Sequence, residues 1–129
     1  MDFIKRDDIK KNALPGRVVQ NAVGHNSAVL SEKMTVSFCH YSAESGPMEP
    51  HNHAEESVVV LSCKDAYVKW GSGKDSLEHT VELHEGDLNY VFIAGYDLNS
   101  SNITRRTAEA AAIFTDGTMD VITVNVTNT

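Results

Sequence analysis

The chain contains two cysteines, Cys39 and Cys63, and no CxxC pair. A disulfide framework is therefore not expected in a domain of this size, and a structural zinc site built on thiolates is excluded. Long apolar runs are missing too. Runs such as Val58 to Leu61 fall far short of a bilayer span, and the first residues, MDFIKRDDIKK, have no apolar stretch of signal-peptide length. These absences predict a cytoplasmic protein with no membrane partner. Positive charge is scarce: 11 Lys and Arg stand against 18 Asp and Glu, a net charge of −7. Nucleic-acid binders carry the opposite balance, so no nucleic-acid partner is expected. The chain also lacks a Gly-rich phosphate loop, a GxSxG elbow and a dinucleotide fingerprint, which removes nucleotide-driven chemistry and serine hydrolysis.

What the chain does contain is a succession of short strands. Its 129 residues suit one domain around one core, with residues 1–16 as an N-terminal extension in which Asp7 to Asn12 could form a helical turn or two. Pro15-Gly16 punctuates the passage into the body. Candidate strands follow at Arg17–Val23, Ala28–Leu30, Met34–Tyr41, Val58–Ser62, Ala66–Trp70, His79–Leu83, Leu88–Ile93, Ala110–Phe114 and Met119–Val126. Gly71-Ser72-Gly73 and Glu85-Gly86-Asp87 read as turns, and Asp116-Gly117 as a hairpin turn. Many short strands separated by Gly, Pro and Asp predict an all-β barrel or sandwich with an interior large enough for a ligand.

The chemistry concentrates in the segment P-H-N-H-A-E-E-S-V-V-V-L. His51 and His53 lie two residues apart, so in an extended strand both imidazoles leave the same face. Glu56, three residues on, reaches the same point if the strand bends, with Glu55 as the alternative. Two nitrogens and one carboxylate, with no thiolate, are donors for a first-row divalent metal.

These residues resemble the first motif of the cupin superfamily, which has a Gly, H-x-H, a Glu and a closing Gly. Gly46, His51, His53 and Glu56 match it, with the Gly46–His51 and His53–Glu56 intervals each one residue short and Cys63 where the closing Gly stands. The second cupin motif opens on Gly-Asp, matched by Gly86-Asp87, and runs through a Pro-x-Gly turn to a His and an Asn. Here the turn is Ile93-Ala94-Gly95 without Pro, and the His is absent. Counting from Gly86 puts Asp97 at the His position and Ser101 at the Asn; anchoring on Gly95 puts Leu98 and Asn102 there. The resemblance covers about residues 34–126. It implies an antiparallel double-stranded β-helix, the jelly-roll barrel, often a homodimer, with a small-molecule ligand in the barrel mouth. It also implies a divalent metal ion (Fe, Mn, Zn or Ni) on His51, His53 and Glu56. Asp97 would be a fourth ligand under one alignment; under the other, three ligands leave positions open.

Other residues take their expected roles from position. His40 shares a face with Met34, Val36 and Phe38, and serves as general acid or base if that face points inward; otherwise it is a core histidine. Tyr90 and Phe92 would line one face of their strand and contact substrate, and Arg17 at a barrel mouth could hold a carboxylate or phosphate. Arg105-Arg106 fits an edge-strand charge equally well. Two functions are compatible with this reading. One is a metal-dependent isomerase, lyase or dioxygenase acting on a keto or hydroxy acid or a sugar derivative. The other is a non-catalytic module that binds a small ligand and has lost the second-motif metal ligand.

Overall fold

The computed structural model describes residues 1–46, 55–92 and 110–126. Among these residues eight strands run in chain order: β1 (Lys11–Leu14), β2 (Arg17–Gly24), β3 (Val29–Leu30), β4 (Met34–Ser42), β5 (Glu55–Gly71), β6 (His79–Glu82), β7 (Leu88–Phe92) and β8 (Ala110–Val126). Short 3-10 turns occupy Arg6–Asp8 and Ala43–Ser45, and no α-helix occurs among the described residues. No helix there is long and apolar enough to cross a membrane. The strand order is β1-β2-β4-β8-β5-β6, with β7 added to the first half of β5 and β3 to the end of β2. All pairings are antiparallel except the two-residue β2/β3 contact. This is the expected all-β jelly-roll.

Two 17-residue strands, β5 and β8, pair along their lengths and form its spine. The sequence divides each of them in two, at residues 62–66 and at the Asp116-Gly117 turn; the structure does not. The ladder slips between Val60 and Ser62 and again between Lys64 and Ala66, so each strand bends without ending. Asp65 takes φ 53° at the second slip, a left-handed conformation that Asp tolerates better than bulkier residues. Gly117 is therefore no hairpin residue. It passes so near the partner strand that a Cβ would lie 2.6 Å from the Lys64 carbonyl oxygen.

The expected N-terminal extension also joins the sheet. Only one 3-10 turn forms in it, and Lys11–Leu14 pairs with β2 across Pro15-Gly16, where proline fixes one turn φ and Gly16 supplies φ 84°. The preceding segment is clamped against the outside of the barrel. Arg6 Nη2 donates to Asp120 Oδ1 at 2.5 Å, and Arg6 Nε to Gln20 Oε1 at 3.1 Å. Gln20 Nε2 returns hydrogen bonds to the Arg6 and Ile9 carbonyls, and the guanidinium lies 4.9 Å from the Phe38 ring centroid.

Side-chain alternation then decides what is inside. On β4, Ser37, Cys39 and Tyr41 are buried, while Met34, Val36, Phe38 and His40 keep some exposure. On β8, Met119, Val121 and Thr123 are buried. Val60, Val121 and Met119 are essentially inaccessible, and burying each such side chain stabilises the fold by roughly 1.5–3 kcal/mol. The packed cluster, which also takes in Val58, Ala66, Val68 and Leu83, shares four members with the wall of an internal cavity: Val19, Cys39, Tyr41 and Ala112. Core and cavity are thus continuous.

Candidate functional site

The cavity measures about 850 Å³, within the range of small-molecule sites. Its wall is built from the inward positions of four neighbouring strands. Strand β2 supplies Arg17, Val19 and Asn21; β4 supplies Ser37, Cys39 and Tyr41; β8 supplies Thr123 and Asn125; β5 supplies Glu56. Asp8, Ile9, Lys10, Asn12 and Leu14, from the clamped N-terminal segment and β1, together with residues 26–28 and residues 111–113 of β8, make up the rest of the described lining.

Glu56 stands opposite Asn125 on one side and Val91 on the other. It lines the cavity, whereas Glu55 lies outside it and accepts a 2.6 Å hydrogen bond from the Tyr90 hydroxyl. Of the two candidate acids, Glu56 is the one that faces the interior. Arg17 also stands where the sequence suggests, in the cavity wall. Among the described residues its guanidinium makes no ion pair or side-chain hydrogen bond, in contrast to Arg6.

Two expectations are corrected. His40 does not reach the cavity. The face it shares with Val36 and Phe38 points outward, and its Nδ1–H donates to Asp120 Oδ2 at 3.1 Å, beside the Arg6 pair. That removes the proximity on which a general acid–base role rested. Tyr90 is exposed and spends its hydroxyl on Glu55, because β7 pairs Tyr90 with Ser57, on the face of β5 opposite Glu56. Phe92 is described by its backbone alone, paired with Glu55. His51, His53, Asp97, Leu98, Arg105 and Arg106 lie outside the described residues. Of the remaining histidines, His79 stacks on Trp70 at 5.1 Å, and His25 and His84 are exposed.

Alternation of β4 was the signal that could have found Cys39 and Tyr41, since both share a face with Ser37. Burial pushes the Cys39 thiol up, against the opposing pull of Arg17, with Glu56 adding to the rise. Burial likewise drives the Tyr41 phenol well above its ordinary range, with Arg17 again opposing and Glu56 reinforcing. Burial thus favours the protonated form of both, and the Cys39 thiol is in hydrogen-bond contact with Thr123 and Tyr41 on the cavity wall. Ser37 Oγ donates to Asn21 Oδ1 at 3.0 Å. Asn125 Oδ1 and Asn89 Nδ2 are buried without a hydrogen-bond partner.

Among the described residues no three His, Cys, Asp or Glu side chains gather as a metal site. Among the residues expected to hold a cation, Glu56 is the described one that lines the cavity, and a carboxylate is a donor type that first-row divalent ions take.

Outside the cavity, Asp120 makes a separate prediction. Burial alone would raise its carboxyl, but hydrogen bonds from Arg6 and His40, with their charges, hold it below the usual carboxylate range. Its contribution to stability is therefore full above the unfolded value near about 3.9 and is lost as pH falls through the lower folded value. Asp120 keeps 22% of its side chain exposed, so Asp120→Asn is expected to cost roughly 1 kcal/mol at pH 7. In urea titrations the gap between variant and wild type should close below about pH 4; a gap independent of pH would refute the assignment.

No family model and no curated protein matches the sequence. Solved structures do match the fold. The polyketide cyclase RemF from Streptomyces resistomycificus is 15% identical, with a TM-score of 0.66 over 99% of this chain and 80% of that one. FeII HppE is 14% identical, with a TM-score of 0.61 over 97% of this chain and 60% of that one. A formate complex of oxalate decarboxylase from Lactobacillus farciminis is 11% identical, with a TM-score of 0.62 over 98% of this chain and 33% of that one. The chain thus spans most of the cyclase but only a third of the decarboxylase.

Proposed function

The chain has the cupin fold, and on that premise we propose that it is a metal-dependent enzyme acting on a small polar metabolite inside the barrel. The observation that carries the reading is Glu56 lining an 850 Å³ cavity whose wall is otherwise rich in hydrogen-bonding groups. His51, His53 and Glu56 would hold the cation, with Asp97 a further candidate from the second motif. A bound divalent cation supplies Lewis-acid polarisation of a carbonyl or hydroxy-carbonyl group. The chain's own residues do the rest. Tyr41 and Cys39, kept protonated by burial, donate hydrogen bonds to the bound molecule. Thr123 and the Ser37–Asn21 pair orient its polar groups. Isomerisation, lyase chemistry and dioxygenation of keto or hydroxy acids or sugar derivatives are the reactions such a site supports.

The likeness to a polyketide cyclase and to an FeII form of HppE supports an enzyme without choosing among these. A second reading, a ligand-binding module without chemistry, is favoured by one observation: the second motif lacks its His. Elemental analysis of protein purified without a histidine tag separates the two. The enzyme reading expects close to one divalent ion per chain, and loss of turnover on chelation that the metal restores, across a panel of 2-keto, 2-hydroxy and sugar acids. Less than about one-tenth of an ion per chain refutes it.

A further inference from the structure

We propose that Arg17 anchors the carboxylate of a polyhydroxy or hydroxy acid, and that this fixes which end of the ligand meets Glu56. The inference rests on the reading of the cavity as a ligand site and goes beyond it by naming the ligand class and its orientation.

Arg17 is half-buried in the cavity wall, and among the described residues its guanidinium makes no ion pair or side-chain hydrogen bond. A chain with 18 acids and 11 bases has carboxylates to spare, and Arg6 shows how completely one can be used. A guanidinium does not lose its proton to escape desolvation, so its five donors call for an acceptor from elsewhere. A carboxylate matches that fork bidentately. Among the described lining residues the cations are Lys10 and Arg17, and Arg17 is the less exposed, so the single carboxylate charge of a monoanion matches the one half-buried guanidinium.

Position sets the direction. Arg17 lies on β2 and Glu56 on β5, with β4 and β8 between them. The buried Cys39 and Tyr41 on β4 feel both charges, so they stand within electrostatic reach of each. A ligand held by its carboxylate at Arg17 extends past the thiol and the phenol toward Glu56. Near Glu56 it meets Asn125, whose buried Oδ1 lacks a donor. A hydroxyl on the far part of the ligand supplies one.

Three probes test this by calorimetry on the metal-loaded protein: gluconate, neutral gluconamide, and hexanoate, which keeps the acid and lacks the hydroxyls. Gluconate is expected to bind, and gluconamide at least about 10-fold more weakly, the scale of a lost hydrogen bond to a charged group. Hexanoate should also bind more weakly than gluconate. Arg17→Met should remove the preference for acid over amide, and Arg17→Lys should restore part of it. Metal content should stay at the wild-type value in both variants, so a failure here is distinct from a failure of the metal reading. The proposal is overturned if gluconate does not bind, if gluconamide equals gluconate, or if Arg17→Met keeps the preference. Hexanoate binding as tightly as gluconate overturns the hydroxyl contact, and displacement of gluconate by inorganic phosphate at lower concentration than by acetate overturns the carboxylate assignment.

Discussion

Protein carrying His51→Ala together with His53→Ala is expected to purify with less than about one-tenth of a divalent ion per chain, against close to one for the wild type. Two of three donors are then gone, and a single carboxylate with an amide oxygen nearby holds a first-row cation weakly in water. Turnover of any acid on which the wild type acts should drop by about 10³-fold, since polarisation by the metal is worth several kcal/mol of barrier. Folding should survive. The packed cluster centres on Val60, Met119 and Val121, and none of its members belongs to the ligand set. Elemental analysis, turnover and a thermal melt on the same sample make the check complete. Wild-type metal content in the double variant would refute the ligand assignment, and wild-type turnover in a metal-free sample would refute the mechanism.

The second large effect is on stability. Met119 is 1% exposed on the inward face of β8, opposite Tyr41 of β4 and Cys63 of β5. Met119→Ala deletes a side chain that its neighbours cannot replace without moving, and the expected cost is about 2–5 kcal/mol. For a domain of this size that is a large share of a total near 5–15 kcal/mol. The urea midpoint should fall while the slope stays unchanged. Tyr41 borders both this void and the ligand cavity, so ligand affinity should drop in parallel. A loss under about 0.5 kcal/mol, the range of ordinary surface substitutions, would contradict the packing described here.

Strands were legible in the sequence wherever polar and apolar residues alternate, and most of the sheet follows from that. Two features misled the reading for physical reasons. Asp116-Gly117 has the composition of a hairpin turn, but that glycine answers a steric demand from the Lys64 carbonyl across the ladder, a contact invisible in one dimension. The β4 alternation gives two faces without saying which is inside. Hydrophobicity favours the Met34, Val36, Phe38 face, which would have brought His40 to the ligand. The interior of this barrel is partly a cavity, however, so it takes the Ser37, Cys39, Tyr41 face instead. Glu56, singled out by motif spacing, and Arg17, singled out as an arginine for a barrel mouth, both line the cavity. Asn125 and Asn21 were not singled out. Nothing in their local sequence distinguishes an asparagine in a cavity wall from one in a loop.

The paired spine of β5 and β8 also governs how a ligand can come and go. Strand β5 is hydrogen-bonded on both sides through residues 56–59, by β7 and β8, and β8 is bonded on both sides through residues 118–125, by β4 and β5. A breach in that wall would sacrifice two ladders at once, so amide protons at Val58, Val121 and Thr123 should exchange only when the whole molecule opens. Among the described residues, the rim carrying Asp8, Ile9 and Lys10 lies outside these ladders and is fastened to the barrel by Arg6. Lifting that fastening makes the N-terminus a doorway, and the lifetime of the bound state should then follow the grip of one guanidinium on Asp120.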